Sequence, residues 1–378
     1  MSPARTVAGT VVVGGGIAGV SVAAELASSG EDVLLLEAEP ELARHTTGRS
    51  AASYIPGHGA PPMQALVAAS RARFDALAAE AGHPFLRPRP VLHVAHDAAE
   101  ERVLREEILP LDVVRALDPD EAVRRWPALR RDLLRGAGVV EDACDADPLG
   151  LHQHYRRRLV DAGGAVRSGA AVTALAASER GWRVGMADAV VDAERVVLAA
   201  GAWTDRLLAL AGTPPLGLAP LRRTVAVVRV PPGAPVRRDD PFVVSAGEGW
   251  YAKPEGEFLL VSPSEEAPAE PGDPRPDEVD VALALERVNA VTTLGLRSVA
   301  TSWTGLRTFA PDRLLVVGDR PAHPGLHLFA GQGGSGIESA PAAAALAASV
   351  VRGQEPPDDV VAALAAVGAT PDVLAATR

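Results

Sequence analysis

The stretch TVVVGGGIAGVSVAAELASSGEDVLLLEAE, residues 10–39, constrains the fold more than any other. It reads as a strand (10–13), a tight turn, a helix (17–28), a turn and a second strand (32–37). Gly14, Gly16 and Gly19 form GxGxxG. The first glycine permits the turn, the second lets backbone N–H groups approach a pyrophosphate, and the third lets the helix pack on the strand. The pyrophosphate then sits at the helix N-terminus, at Ile17 and Ala18. Glu37 closes the second strand, with Ala38 beside it, and is placed to accept a hydrogen bond from an adenosine ribose. An acid there argues against a 2′-phosphate, which leaves NAD or FAD. A bare GxGxxG would be no more than a glycine turn; here strand, helix and acid are in register.

The residues after Glu37 decide between the two cofactors. A nicotinamide enzyme would continue into further βα units, whereas here comes ELARHTTGRSAASYIPGHG. Thr46, Thr47, Gly48, Arg49 and Ser50 supply hydroxyls, a cation and a turn where a ribityl-pyrophosphate arm would lie, with Ala51 and Ala52 next in the chain. Two later segments repeat the glycine theme. RVVLAAGAWTDRLLALAG is a strand ending at Ala200 and Gly201, with Trp203 after it, and LHLFAGQGGSGIESAPAAAALAASVV is a strand, a glycine loop and a helix. The loop carries Gly331, Gly333, Gly334, Ser335, Gly336 and Ile337. It aims a helix N-terminus at its ligand, which would stabilise the negative charge of a reduced flavin. Val172 is a further candidate contact. Each segment alone could be a plain αβ connection; three in this order point to FAD.

Composition narrows the setting. At 378 residues the chain exceeds the roughly 250–300 at which single cores stop growing, so two structural units are expected. The net charge of −11, with Lys and Arg dispersed, disfavours nucleic acid as a partner. One cysteine, Cys144, excludes an internal disulfide and a cysteine-based zinc site. No apolar run is long enough for a membrane span and no leader pattern opens the chain, so a cytoplasmic protein is expected. Asp142, Asp145 and Asp147 crowd one loop without Ca²⁺-loop spacing. His152 and His154 are two apart on an expected helix and cannot share a face. No metal is expected.

The words HTTGRSAA, HPFLRPRP, WPALRRD, AAGAW, PLGLAPLRR, YAKP, SWTGLRTF and GQGGSGI run along almost the whole chain. With the fingerprint, they resemble the D-amino-acid oxidase superfamily of FAD enzymes, and within it most closely the bacterial D-arginine dehydrogenases. The resemblance implies an α/β fold: a Rossmann-like FAD-binding domain of the GR2 type with an antiparallel-sheet substrate-binding domain. The FAD-binding domain is expected over 1–80, 145–215 and 310–378, and the substrate-binding domain over 81–144 and 216–309. Short strands at 91–94, 224–230, 242–246, 250–254 and 257–262 and an amphipathic helix at 279–295 agree with this plan. The acidic, proline-rich stretch 263–280 reads as a surface loop or a mobile lid, and the Ala-rich tail after Glu355 as a short helix with a frayed end.

The activity implied is oxidative deamination: a hydride passes from the α-carbon to flavin N5, leaving an imine that hydrolyses to a keto acid and ammonia. The acceptor that reoxidises the flavin is a quinone or oxygen. Such a site needs a clamp for the α-carboxylate, and arginine suits it through its planar fork. By resemblance Arg223 and Arg307 bind the carboxylate, Tyr251 reaches it with its hydroxyl, and the Gly334 carbonyl orients the amine. His58 could border the site mouth, and Ser53 stands where the family has histidine. After the stiff RPRP lead the D-arginine type has a glutamate that receives a cationic side chain; here it is Val91, with Phe242 and Val244 as further apolar wall. This favours small or apolar D-amino acids. A secondary amine such as proline or sarcosine, or a flavin-binding subunit without turnover, are the alternatives. FAD is expected to be noncovalent, since relatives that link it through cysteine do so near the C-terminus and Cys144 lies mid-chain. Lys253, the one lysine, is the group available to promote reaction with oxygen.

Overall fold

The structure is a computed structural model that describes residues 4–377. Two large sheets carry it. In the first, Ala165–Arg167, Val33–Leu36, Ala4–Val13, Ala189–Leu198 and Leu326–Ala330 lie side by side and parallel. Val316–Asp319 pairs antiparallel with the last of these, and the hairpin Val172–Ser178 and Gly181–Met186 extends the first half of Ala189–Leu198. The run Val11-Val12-Val13 is buried without alternation because a central parallel strand is covered on both faces. The helix Ile17–Ser28 is apolar nearly all round for the same reason, packed between Pro148–Asp161 and Ala340–Val351.

The second sheet has eight strands in the order Val299–Phe309, Ala219–Arg229, Phe258–Ser262, Tyr251–Glu255, Phe242–Ser245, Val91–Ala95, Gly136–Val140 and Arg115–Leu117. Its pairings are antiparallel except that Phe242–Ser245 runs parallel to Val91–Ala95, with Phe242 opposite Val91. The period of two sorts its side chains. Leu92, Val94, Ala226, Val228, Val243 and Val261 pack with Ala284 and Val288 of the helix Glu278–Val291. Val91, Val225, Phe242, Tyr251 and Leu260 form a cluster on the other face.

A small third sheet joins Ser53–Tyr54, Cys144–Ala146 and Leu86–Pro88. The RPRP lead is this last strand and its exit. Arg89 bolts it down: Nε donates to Asp145 (2.5 Å) and Nη1 to the Asp240 carbonyl (2.5 Å).

Two segments differ from the sequence reading. Residues 263–277 are not a free loop, because Arg222 N–H donates to the Ala267 carbonyl (2.8 Å) and Ala269 N–H to the Pro220 carbonyl (3.0 Å), stitching the stretch to Ala219–Arg229. The tail is not frayed either. Leu374 and Ala376 are buried, and Ala375 bridges to Val317. Apolar anchors at the end of an alanine-rich stretch are hard to weigh from composition alone.

The tightest contact in the first sheet lies between helix and turn. A Cβ placed on Gly19 would stand 1.8 Å from the Gly14 carbonyl oxygen. Gly19→Ala should therefore lower stability by about 2–3 kcal/mol, the usual cost of overpacking; an unchanged denaturant midpoint would contradict this packing.

Candidate active site

A cavity of about 450 Å³ lies between the two large sheets. Part of its wall comes from the fingerprint: Gly14, Gly16, Ile17 and Ala18, with Glu37 and Ala38 at the end of the second strand. Gly14 has φ +115°, and a Cβ there would meet the Ala199 carbonyl oxygen at 2.4 Å. Glu37 accepts from Gly15 N–H (2.6 Å) and Glu39 N–H (2.8 Å), which fixes its carboxylate at the cavity edge. Ile17 N–H donates to Thr47 Oγ1 (2.9 Å), while the N–H groups of Gly16 and Ala18 have no acceptor among the described residues. This helix N-terminus thus offers donors and partial positive charge to the cavity.

Thr46, Thr47, Arg49, Ser50, Ala51, Val172, Ala200, Gly201 and Trp203 also line it, as do Gly333, Gly334, Gly336 and Ile337. The N–H groups of Gly336 and Ile337 likewise have no acceptor among the described residues. These donors, the absence of Cβ atoms where the backbone turns and the placed carboxylate of Glu37 fit FAD, which the same residues could hold. Gly19, Ala52, Gly331 and Ser335 are off the wall; Gly19 serves packing, and Ser335 Oγ lies 3.4 Å from His58 Nδ1. Arg49 departs from its expected use as a cation for the phosphate arm. Its Nη1 donates to the Thr304 carbonyl (2.8 Å) and its Nη2 pairs with Asp273. Thr46 Oγ1 donates to the Leu306 carbonyl (2.7 Å).

The sequence reading missed two contributors here. His45 lies against Trp203 (ring centroids 4.7 Å) and bonds Glu39 through Nε2 (2.9 Å). Buried His152 bonds the Gly15 carbonyl through Nε2 (2.9 Å), holding the glycine turn from behind; burial lowers its pKa. His154 is directed elsewhere, to Glu80 and Phe85.

The second sheet contributes Arg223, Val225, Tyr251 and Arg307 to the wall. The guanidinium of Arg307 makes no hydrogen bond or ion pair to any described residue, and the Tyr251 hydroxyl is buried without a partner. Arg223 is differently placed. Its Nε donates to the Glu265 carbonyl (3.1 Å) and its Nη2 faces Glu266 (3.4 Å), which also pairs with Arg313. Burial, and then repulsion from Arg307, lowers the Arg223 pKa to about 10. It stays charged at neutral pH, so two cations share this part of the cavity.

The remaining pocket candidates are off the wall. Val91 is 1 % exposed and packs in the cluster that backs Tyr251, where Phe242 meets the Tyr251 ring edge-on at 5.4 Å. Val244 pairs with Tyr251 across the sheet. Ser53 sits in the small sheet with its hydroxyl buried and unpartnered. His58 bonds Glu338 instead. Lys253 is buried, with Nζ donating to the Ala51 carbonyl (2.6 Å) and paired with Asp145 (3.2 Å), so it stands away from the cavity. Cys144 is buried in the small sheet, and burial pushes its thiol pKa up. Among the described residues no group of His, Cys, Asp and Glu is placed to hold a metal, and no helix is long and apolar enough to cross a membrane.

A parallel sheet with a glycine fingerprint, set against a second sheet that closes a shared cavity, suits a dinucleotide cofactor held against a substrate. The chain belongs to the FAD dependent oxidoreductase (DAO) family, whose profile matches residues 10–350. Glycine oxidase of Geobacillus kaustophilus is 27 % identical over 372 residues, covering 91 % of this chain and 93 % of its own. In the crystal structure of that enzyme the fold superimposes with a TM-score of 0.81 at 23 % identity, covering 93 % of this chain and 96 % of the other. L-proline dehydrogenase from P. horikoshii gives a TM-score of 0.82 at 19 % identity, covering 93 % and 95 %, and iminodiacetate oxidase from Chelativorans sp. BNC1 gives 0.74 at 23 %, covering 92 % and 96 %.

The burial of Val91 reverses one expectation. On the wall, Val91→Glu would recruit basic side chains; inside the cluster it buries an unpaired carboxylate, which costs several kcal/mol. The variant should lose thermal stability by roughly 10 °C or more and gain no activity on D-Arg or D-Lys. Wild-type melting together with a gain on basic substrates would put residue 91 on the wall.

Proposed function

We propose that this chain oxidises a small molecule at a carbon bearing both an amine and a carboxylate, with a D-amino acid, the class its sequence words resemble, as the favoured substrate. The observation that carries this reading is the pair Arg307 and Tyr251: a guanidinium and a buried hydroxyl, each without a partner among the described residues, both on the cavity wall. Polar groups left unpaired in the interior are costly, so such a pair is suited to an anion that arrives with the ligand. A carboxylate matches the guanidinium fork in plane and charge. The names of the three relatives support the same class, since glycine, proline and iminodiacetate each carry an amine on the carbon next to a carboxylate.

FAD, when bound, supplies the two-electron acceptor. The residues of this chain supply position and charge: Arg307 and Tyr251 hold the carboxylate, Arg223 adds its field from beneath the 263–277 strap, and Gly334 leaves room for the reacting carbon. The oxidised product, an imine, hydrolyses to a keto acid and ammonia. A secondary amine such as proline or sarcosine meets the same clamp and is the second reading, favoured by the proline and iminodiacetate relatives. Because Lys253 is engaged by Ala51 and Asp145, we infer a quinone or artificial acceptor ahead of oxygen.

The test is anaerobic mixing of the yellow protein with D-, L- and N-methyl amino acids. Bleaching by D-amino acids is expected; bleaching by L- or N-methyl compounds alone would transfer the activity to the second reading, and none at all would leave a flavin-binding subunit. Arg307→Lys keeps the charge and loses the fork. Its kcat/KM should fall by well over tenfold, in line with about 2–5 kcal/mol for a charge pair broken from one side, while FAD content stays unchanged. Normal turnover would place the carboxylate elsewhere.

A further inference from the structure

Glu338 is buried, and its two oxygens are both used: Oε2 accepts from Ile55 N–H (2.8 Å) and Oε1 lies 2.5 Å from His58 Nδ1. An ionised carboxylate can only accept, so the hydrogen on that bond belongs to Nδ1. The neutral ring then keeps its lone pair on Nε2, which makes no protein hydrogen bond among the described residues. The ring is not part of the cavity wall but lies directly against it at Gly334. A Cβ built on Gly334 would be 3.5 Å from His58 Cε1 and 3.2 Å from Arg307 Nη1, so the imidazole edge and the carboxylate clamp flank one glycine of the wall. The His58 side chain is 30 % exposed, which leaves a route to water.

We propose that His58, positioned and held in its Nδ1–H tautomer by Glu338, is the proton acceptor for the substrate ammonium. This rests on the amine-oxidation reading above. An amino acid arrives as the ammonium form, which has no lone pair to support loss of a hydride from its α-carbon. In the proposed step the ammonium N–H bond breaks, the proton forms an Nε2–H bond, and the pair of electrons stays on the substrate nitrogen. The result is a neutral amine and an imidazolium paired with Glu338, which later releases its proton to solvent. His58 is the catalytic residue of this step and Glu338 its positioning residue.

The charged and titratable groups facing His58 are Glu338 from the C-terminal loop, Glu248 from the turn before Tyr251–Glu255, Arg307 from Val299–Phe309, and His93 from Val91–Ala95. Burial opposes protonation of His58, yet Glu338 outweighs it and the pKa is raised. His93 is neutral at pH 7, because burial, then His58, lowers its pKa to about 4. The accepting form of His58 is the neutral ring, so the rate must rise with pH through its ionisation. Removing the Glu338 charge must move that ionisation to lower pH.

The test measures the limiting rate of flavin reduction against pH in stopped flow, with the holoenzyme and a substrate identified by the bleaching panel. For His58→Asn, a loss of ~100-fold is expected at about pH 7, the scale of general-base catalysis, narrowing to within ~3-fold once the medium itself deprotonates the substrate amine. Glu338→Gln should shift the inflection acidward by about one unit or more. Histidine ¹⁵N NMR of the holoenzyme gives a readout apart from activity: wild type should show one Nδ1–H tautomer with a raised pKa, which Glu338→Gln lowers. A His58→Asn profile parallel to wild type at all pH values, with full FAD content, overturns the proposal while leaving amine oxidation intact. Absence of bleaching by any amine in wild type defeats the underlying reading instead. If Glu338→Gln fails to fold, Glu338→Asp serves, and an inflection unmoved in it and in His58→Asn overturns the proposal equally.

Discussion

The stitching of the 46–50 segment to the edge strand Val299–Phe309 is the interaction on which the site depends. Thr46 Oγ1 reaches the Leu306 carbonyl, Arg49 the Thr304 carbonyl, and Trp303 Nε1 donates back to the Arg49 carbonyl (3.0 Å). Thr47, between them, accepts from the first helix at Ile17. One short segment therefore touches the fingerprint helix with one residue and the second sheet with its neighbours. The cavity is the gap this segment spans, and its width is fixed by hydrogen bonds to backbone carbonyls, whose positions the sheet already determines. Side-chain-to-backbone bonds of this kind hold about 1 kcal/mol each, enough together to keep two sheets in register.

The cavity contrasts with the rest of the molecule in charge. A chain of net charge −11 gathers Arg223 and Arg307 on one cavity wall, where burial first and then repulsion from Arg307 make Arg223 easier to deprotonate than a free arginine. Glu266 and Glu265 offset part of that repulsion from the strap. Such a local excess of positive charge inside an acidic protein focuses anions toward the site and keeps them from adhering elsewhere.

Much of the fold was legible because its signals are local. The fingerprint gives strand, turn and helix within 30 residues, and the short, mostly apolar runs 91–95 and 258–262 between proline and glycine turns form strands. Of the site, the structure brings Gly14, Glu37 and Arg307, whose residue types suggested a cavity role, to the cavity wall. Arg49 lines the cavity as read, but its bond to the Thr304 carbonyl, 255 residues away, had no signal in the sequence, because a guanidinium beside threonines suits a phosphate as well as a carbonyl. Val91 was read as pocket wall, but it lies in the cluster behind Tyr251 and off the wall, and a stiff lead into a strand says nothing of how far the cavity extends along that strand. Glu338 gave no signal at all: its partners Ile55 and His58 are 283 and 280 residues distant, and an acid after GSGI reads as an ordinary helix-start residue.

The first sheet is assembled out of sequence order, and this has a consequence for synthesis of the chain. Ala4–Val13 can pair with Val33–Leu36 almost as soon as both leave the ribosome, but its other neighbour, Ala189–Leu198, emerges only after some 150 further residues, and Leu326–Ala330 later still. Until then the nascent chain displays an unpaired edge at Val11-Val12-Val13, the kind of surface that pairs with other chains. The segment 40–188 must therefore be held apart from misassembly while the central strand waits. Products that stop short of residue 198 should collect in the insoluble fraction even though they contain the complete fingerprint.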